Sequence, residues 1–290
     1  MKLVTFEREA GREELGILLE KRVLPLEELG FAYRDMNELI ERADREELAR
    51  MAAAEGEGLP LEDIRLLSPI PRPRQDVLCL GLNYSEHARE AAGYSSDAFG
   101  GQAPEPIFFS KRVSYSQGPG APIPAHRELT ERLDYENELA VILGKDARDV
   151  APEQAAEYVF GYTVLNDVSA RDVQTRHKQW YFGKSLDGFT PMGPCIVTAD
   201  EIPFPPQLGI RTFVNGEKRQ DSNTGLLIHD IPEIISTLSR GMTLLAGTII
   251  ATGTPKGVIM GMEDPHFLQP GDVVRCEIQG IGALENPVTD

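Results

Sequence analysis

Two carboxylates stand two residues apart at the head of an apolar run. Glu136 and Glu138 lead into the apolar residues 139–143, a pattern typical of an extended segment entering the core. Side chains two apart in a strand share a face, so the two carboxylates point the same way. Like charges at a core entrance repel unless something positive lies between them, and a bound cation would supply that charge. A solvated strand edge is the alternative that this segment leaves open.

A third carboxylate, Asp167, ends the apolar strand pattern of residues 162–165. Residues 169–172 resemble a helix start, so Asp167 could be the N-cap of that helix. It could equally be a third oxygen ligand beside Glu136 and Glu138. Three carboxylates without a neighbouring His or Cys favour a hard cation, Mg²⁺ or Mn²⁺, over Zn²⁺. Because Mg²⁺ keeps water positions open, a chelating substrate would find room at such a site.

A histidine and a glutamate at helical spacing form a second candidate for chemistry. His87 and Glu90 follow the apolar strand pattern of residues 77–80, and on a helix they would share a face. A carboxylate beside an imidazole raises its basicity and fixes its tautomer, as a water-activating base requires. An exposed helical ion pair is the alternative.

The elements that must position these residues are mostly strands. Asn215-Gly216 predicts a hairpin, and helices are expected after Tyr84, near Pro152–Tyr158 and over Ile231–Arg240. Many short strands with few helices indicate a β-rich α+β fold rather than a doubly wound sheet. The predicted strands are Val77–Leu80, Glu138–Leu143, Tyr162–Leu165, Gly209–Val214, Thr248–Ala251 and Asp272–Ile278.

Residues 1–70 differ from the rest of the chain in the order of their predicted strands and helices. Short strands are predicted at Lys2–Phe6 and Leu15–Leu19. A helix opened by Asp35 follows, with Glu38 three residues on as in a capping box, and a second helix is predicted at Glu46–Ala54. Prolines at positions 69, 71 and 73 then interrupt the chain. We therefore expect a small α+β domain, residues 1–70, and a larger catalytic domain, residues 71–290.

The charge balance narrows the function classes. The 290 residues include 46 acidic and 29 basic side chains, a formal net charge of −17. Such a surface repels nucleic acid and anionic lipid, so an anionic substrate would need a buried Lys or Arg, or a metal. The three cysteines lack metal-type spacing. No signal-peptide pattern or membrane-length apolar run is present, so the cytoplasm is the expected location.

Four segments in this order resemble the signature of the fumarylacetoacetate hydrolase superfamily: residues 134–139, 166–174, 183–187 and 252–257. The resemblance covers roughly residues 70–290. Residues 176–179 and the leading segment 1–70 are most similar to the bacterial branch that includes oxaloacetate decarboxylases and acylpyruvate hydrolases. The resemblance implies a catalytic domain in which mixed β-sheets roll into a barrel-like core with few helices.

The resemblance also implies roles for individual residues. The metal ligands would be Glu136, Glu138 and Asp167, holding Mg²⁺ or Mn²⁺. His87 and Glu90 would form a catalytic dyad on a mobile lid, for which residues 93–101 are a candidate hinge. The remaining pocket residues would be Lys184 as a catalytic cation, with Gln174, Thr254 and the Gly253 backbone as substrate contacts. Apart from the resemblance, Lys111 is a further candidate substrate contact because it follows the strand pattern of residues 107–110.

The implied activity is metal-dependent cleavage of a carbon–carbon bond in a small 2-oxo acid. Cleavage leaves an enolate whose charge a cation stabilises. In a hydrolase, His87 with Glu90 activates water, whereas a decarboxylase reaches the same enolate by losing carbon dioxide. The alternatives are an isomerase or hydratase of 2-hydroxy-dienedioates and a non-catalytic metabolite-binding protein. The family resemblance also predicts a homodimer.

Overall fold

Strands outnumber helices among the described residues. The computed structural model describes residues 1–96 and 105–290. The strands are β1 Lys2–Glu7, β2 Glu13–Leu18, β3 Arg22–Pro25, β4 Leu59–Pro60, β5 Arg65–Leu66, β6 Val77–Gly81, β7 Ile107–Lys111, β8 Ile123–Pro124, β9 Leu133–Asp134, β10 Asn137–Leu143, β11 Val159–Asn166, β12 Ser169–Ala170, β13 Met192–Thr198, β14 Gly209–Val214, β15 Glu217–Asn223, β16 Ile249–Ala251, β17 Val273–Ile278 and β18 Gly282–Thr289. The α-helices are α1 Met36–Arg42, α2 Arg45–Ala52, α3 Ser85–Tyr94, α4 Arg171–Arg176, α5 Tyr181–Lys184 and α6 Ile231–Ser239. Short 3₁₀ helices lie at Leu61–Asp63, Pro152–Tyr158, Ala199–Glu201, Thr224–Leu226 and Ile259–Gly261.

Most strands join one of two sheets. The larger sheet has the order β4-β3-β2-β1-β13-β11-β10-β16-β6-β7, with β5 paired to β1, and the smaller has the order β15-β14-β17-β18-β8. Pairing is antiparallel except between β16 and β6 and between β18 and β8. The predicted sheet-rich α+β class is therefore confirmed, although neither sheet of the described residues closes into a barrel.

The centre of the larger sheet is apolar on both faces. Along β10, Leu139 and Val141 belong to one buried apolar cluster, whereas Ala140 and Ile142 belong to another. Since alternate residues of a strand face opposite sides, both sides of β10 are covered. This burial on both faces explains why the sequence shows a continuous apolar run here instead of an alternating one.

The N-terminal strands continue the same sheet. Strand β1 pairs antiparallel with β13, with Leu3 opposite Ile196, so the segment 1–70 extends the sheet of the catalytic region. Helix α1 begins as predicted, because Asp35 accepts a hydrogen bond from the Glu38 amide at 2.8 Å. The division at residue 70 remains a prediction, but the segments on its two sides share one sheet.

Turns and helix ends follow the sequence signals in most places. The hairpin between β14 and β15 turns at Asn215 and Gly216, whose φ angles of 52° and 82° are those of a type I′ turn. The helix predicted near residues 152–158 is a 3₁₀ helix. Asp167 is not a helix cap, since α4 begins at Arg171 with Ala170 as its N-cap. None of the described helices is long and apolar enough to cross a membrane.

Candidate active site

The ends of β10 and β11 bring three carboxylates together. In the register of these strands, Asn137 lies opposite Asn166, and the Asp167 amide donates to the Glu136 carbonyl at 2.8 Å. Glu136, Glu138 and Asp167 are all buried, and each offers an oxygen within 4.8 Å of the other two. The structure thus gathers the three predicted metal ligands at one point.

Three buried cations surround these carboxylates. The Lys184 ammonium donates to Glu136 Oε2 at 2.6 Å and to Asp167 Oδ2 at 2.7 Å. Lys111 donates to the other oxygen of Asp167, and Arg171 Nη1 lies 2.6 Å from Glu136 Oε1. The contacts are charge-assisted and removed from water, so each is stronger than a comparable surface pair.

The three carboxylates differ in their electrostatic surroundings. Burial alone would raise the pKa of Glu136, but Lys184 and Arg171 outweigh it and hold that pKa below its ordinary value. Burial, together with the charges of Asp167 and Glu136, instead raises the pKa of Glu138 well above its ordinary value. Glu138 is therefore the carboxylate whose negative charge lacks compensation.

The donor set fits a hard divalent cation. Glu138 Oε2 accepts a hydrogen bond from the Gly253 amide at 2.7 Å, whereas Oε1 is buried and has no hydrogen-bond partner among the described residues. Buried polar atoms are rarely left unpaired. An uncompensated carboxylate oxygen beside two others is the environment that Mg²⁺ or Mn²⁺ prefers.

Arg171 is the site residue that the sequence did not reveal. Its Nε donates to Asp134 Oδ2 at 2.8 Å, and Asp134 also accepts from the amides of Ile259 and Met260. Arg171 Nη2 is buried but has no acceptor in the described part of the chain. The sequence placed Arg171 only at a helix start, and Asp134 is too far away in the chain for a local pattern to pair the two.

Helix α3 places His87 and Glu90 on one face, as their spacing predicted. His87 Nδ1 lies 3.5 Å from Glu90 Oε2, and His87 is 4 % exposed. Glu90 also accepts from the Gly257 amide, at 3.0 and 3.1 Å to its two oxygens. The pair is therefore fixed to the loop after Gly253 and is not an exposed helical ion pair.

A narrow cavity with a free volume of about 10 Å³ lies between these groups. The polar or charged lining residues, called the charged wall below, are His87, Glu136, Arg171, Gln174, Lys184 and Thr254. The remaining lining residues, called the apolar wall below, are Leu80, Gly81, Leu82, Phe109, Trp180 and Met260. This free volume is about what one water molecule needs, so the lining side chains lie close together around the cavity.

The predicted substrate contacts divide into two groups. Gln174 and Thr254 line the cavity, where Gln174 Oε1 accepts from Arg171 and the Thr254 hydroxyl accepts from Gln220. Lys111 and Gly253 are not among the lining residues of the described chain. Lys111 donates to Asp167, and the Gly253 amide donates to Glu138, so both contact carboxylates of the predicted metal site.

The candidate hinge lies mostly beyond the described structure. Gly93 and Tyr94 form the end of α3. Residues 97–101 of the predicted hinge lie outside the described residues.

Comparisons with known proteins give the family of the chain. Residues 76–289 match the family described as fumarylacetoacetate (FAA) hydrolase C-terminal. The oxaloacetate tautomerase YisK of Bacillus subtilis (strain 168) is 46% identical over 229 residues, which cover 79% of this chain and 74% of that protein.

Solved structures resemble the whole chain. The fumarylacetoacetate hydrolase of psychrophilic Exiguobacterium antarcticum has a TM-score of 0.86 and 41% identity, covering 100% of this chain and 99% of that one. The maleylpyruvate hydrolase of Sphingobium sp. SYK-6, in complex with manganese(II) ion and pyruvate, has a TM-score of 0.78 and 32% identity at the same coverage.

Proposed function

We propose that this chain, which belongs to the fumarylacetoacetate hydrolase family, is a divalent-cation-dependent enzyme that interconverts the keto and enol forms of a short 2-oxo diacid such as oxaloacetate. The carrying observation is the small cavity in which His87, Lys184 and the unpaired Arg171 Nη2 converge beside three carboxylates. The similarity to an oxaloacetate tautomerase supports the choice of substrate.

The cation would be Mg²⁺ or Mn²⁺, held by Glu136, Glu138 and Asp167. When bound, it supplies Lewis-acid polarisation of the keto group and stabilises negative charge on the keto oxygen. The donor set supports this role because it offers only carboxylate oxygens, one of them buried and unpaired. The related hydrolase that was solved with manganese and pyruvate is consistent with it.

His87 is the group that moves a proton. Because Nδ1 faces Glu90, Nε2 is the ring nitrogen left for the substrate. The Glu90 carboxylate orients the imidazole ring, while the Gly257 amide keeps Glu90 in place. His87 would exchange a proton with the carbon next to the keto group. The net reaction moves one proton between that carbon and the oxygen, so it needs no co-substrate.

Arg171 and Gln174 would bind a substrate carboxylate. The buried Nη2 of Arg171 has no acceptor in the described chain, and a carboxylate would supply one. Gln174 uses its Oε1 to accept from Arg171, so its amide nitrogen is the atom that can donate to a ligand. Lys184 already holds Glu136 and Asp167, so it adds positive charge at the point where the substrate becomes more negative.

A direct test follows the enol of oxaloacetate through its ultraviolet absorbance. With Mg²⁺ or Mn²⁺ present, the purified protein should accelerate its decay far beyond the rate with the same metal and no protein. A decay rate equal to that of the metal alone would refute the proposal.

Cleavage of a carbon–carbon bond is a second candidate function. The His87–Glu90 contact favours it because hydrolysis of an acylpyruvate requires a base that activates water. The similarity to a maleylpyruvate hydrolase points the same way. Product analysis separates the reactions, since decarboxylation of oxaloacetate and hydrolysis of an acylpyruvate both release pyruvate, whereas tautomerisation releases nothing.

We also propose that the protein acts in the cytoplasm as a homodimer, with residues 1–70 as a small domain beside the catalytic residues 71–290. Light scattering at micromolar concentration should give twice the monomer mass. A monomer mass under these conditions would refute the dimer.

A further inference from the structure

The only tryptophan of the chain lies in the apolar wall of the cavity. Trp180 immediately precedes helix α5, and its carbonyl accepts a hydrogen bond from the Lys184 amide at 3.2 Å. One helical turn therefore carries both the ring that bounds the apolar wall and the ammonium that belongs to the charged wall. The position of the indole ring is therefore linked to the position of Lys184.

The backbone of β6 leaves room for this ring. A Cβ added at Gly81 would lie 2.2 Å from Trp180 Cζ3, closer than any side chain tolerates. Phe109 on the neighbouring strand β7 meets the indole edge-on, with ring centroids 5.3 Å apart. Lys184 Nζ also lies 5.3 Å from the centroid of Phe109. These contacts fix the position of the ring beside the cavity.

From this arrangement we infer that Trp180 determines substrate length, admitting short 2-oxo diacids and excluding acids with a longer acyl tail. The inference rests on the proposed function, because the charged wall must first hold the 2-oxo acid. Arg171, Gln174 and Lys184 all lie in that wall, so both ends of a short diacid can bind there. A longer tail would have to occupy the space that the indole fills.

The first arm of the test uses the wild-type protein and needs no variant. Because the chain has one tryptophan, its fluorescence reports directly on this wall. In the presence of Mg²⁺, oxalate should change the emission, and an acylpyruvate with a long alkyl tail should not displace it. Equal binding of the long acid would overturn the length limit.

The second arm compares variants in steady-state assays. Trp180→Ala should raise kcat/KM for the long acylpyruvate relative to oxaloacetate by about 10- to 200-fold, the range by which apolar pockets discriminate size. Trp180→Phe should give a smaller rise, and it keeps a ring in place if the Ala variant does not fold. Tyr181→Ala is the matched control, since this neighbouring aromatic residue is 42 % exposed and does not line the cavity.

The outcomes separate this inference from the proposed function. If the enzyme acts on 2-oxo acids and neither Trp180 variant changes the length preference, the inference fails and the proposed function stands. If no 2-oxo acid is turned over, but oxalate alters the fluorescence and the long acid does not displace it, the proposed function fails and the length limit holds.

Discussion

Two groups of charged residues in this molecule are built in different ways. The site cluster comprises the carboxylates Asp134, Glu136, Glu138 and Asp167 with the cations Arg171, Lys184 and Lys111. The edge cluster, on the N-terminal strands and the chain that follows them, pairs Arg8 with Glu14, Arg65 with Glu7, and Arg72 with Glu13. The arginine side chains of the edge cluster are 34 to 65 % exposed, whereas Arg171 and Lys184 of the site cluster are at most 2 % exposed.

The two clusters differ in burial and also in whether every charged atom has a partner. In the edge cluster, each carboxylate meets an arginine that also reaches water. In the site cluster, Glu138 Oε1 and Arg171 Nη2 are buried without a partner among the described residues. Desolvated charges that are left unpaired are unfavourable for folding, so their presence marks a place that is adapted to bind something. We therefore interpret the site cluster as a place that binds ligands. The ion pairs of the edge cluster contribute a small amount to the stability of the fold.

The largest effect should come from Glu138→Gln. The change removes the uncompensated negative charge but keeps the shape and an oxygen that can accept from the Gly253 amide. We expect activity below detection and loss of Mg²⁺ or Mn²⁺ binding in calorimetry. Without metal, the free energy of unfolding should stay equal or rise, because a buried repulsive charge is gone. Full activity after exhaustive chelation of the wild type would contradict the metal requirement.

The next largest effect should come from His87→Ala, and it should depend on the reaction. Tautomerisation and acylpyruvate hydrolysis both need a positioned base, so their rates should fall by about 10²- to 10⁴-fold. Decarboxylation of oxaloacetate should fall clearly less, since loss of carbon dioxide requires no base. Equal losses in all three assays would mean that His87 binds substrate or holds helix α3 in place instead.

Arg171→Lys should have an intermediate effect. Lysine keeps the charge but cannot bridge Asp134 and Glu136 while also offering a third donor to the cavity. Losing one charged hydrogen bond, worth about 1.5–3 kcal/mol, should lower kcat/KM by about 10- to 100-fold. Unchanged kinetics would show that the unpaired Nη2 does not meet the substrate.

The sequence predicted the parts of this site that depend on local pattern. The spacing of Glu136 and Glu138, the strand end at Asp167 and the helical spacing of His87 and Glu90 are short-range signals, and the structure brings these residues together. The hairpin at Asn215-Gly216 was also predicted from a short-range signal.

Contacts between residues far apart in the chain could not be predicted from the local sequence pattern. The role of Arg171 depends on Asp134, 37 residues away, and a lone arginine at a helix start gives no sign of that partner. Strand β1 pairs with the distant strand β13, placing Leu3 opposite Ile196, so the composition change near position 70 could not reveal a shared sheet. The contacts of Lys111 with Asp167 and with two backbone carbonyls also join residues far apart in the chain, and no local pattern indicates them.

The smallest effect should come from Glu14→Gln in the edge cluster. Arg8 donates to both oxygens of Glu14, and this pairing lowers the pKa of Glu14 below its ordinary value of 4.5 although burial opposes the shift. Arg8 is one-third exposed, so solvent screens the pair, and the variant should lose about 0.2–1 kcal/mol of unfolding free energy at neutral pH. Activity should be unchanged, because neither residue lines the cavity.

The pH dependence of this difference in unfolding free energy shows whether it arises from the charge of Glu14. A carboxylate whose pKa is lower in the folded state stabilises the fold fully above its unfolded pKa. The gap between wild type and Glu14→Gln in urea unfolding should therefore persist at pH 7 and begin to close below about 4.5, as the pH falls through the folded pKa. A gap that is independent of pH would assign the effect to packing instead of charge. A loss of activity in the same variant would show that the edge cluster and the site cluster are coupled through the shared sheet, and the contrast between them would then fail.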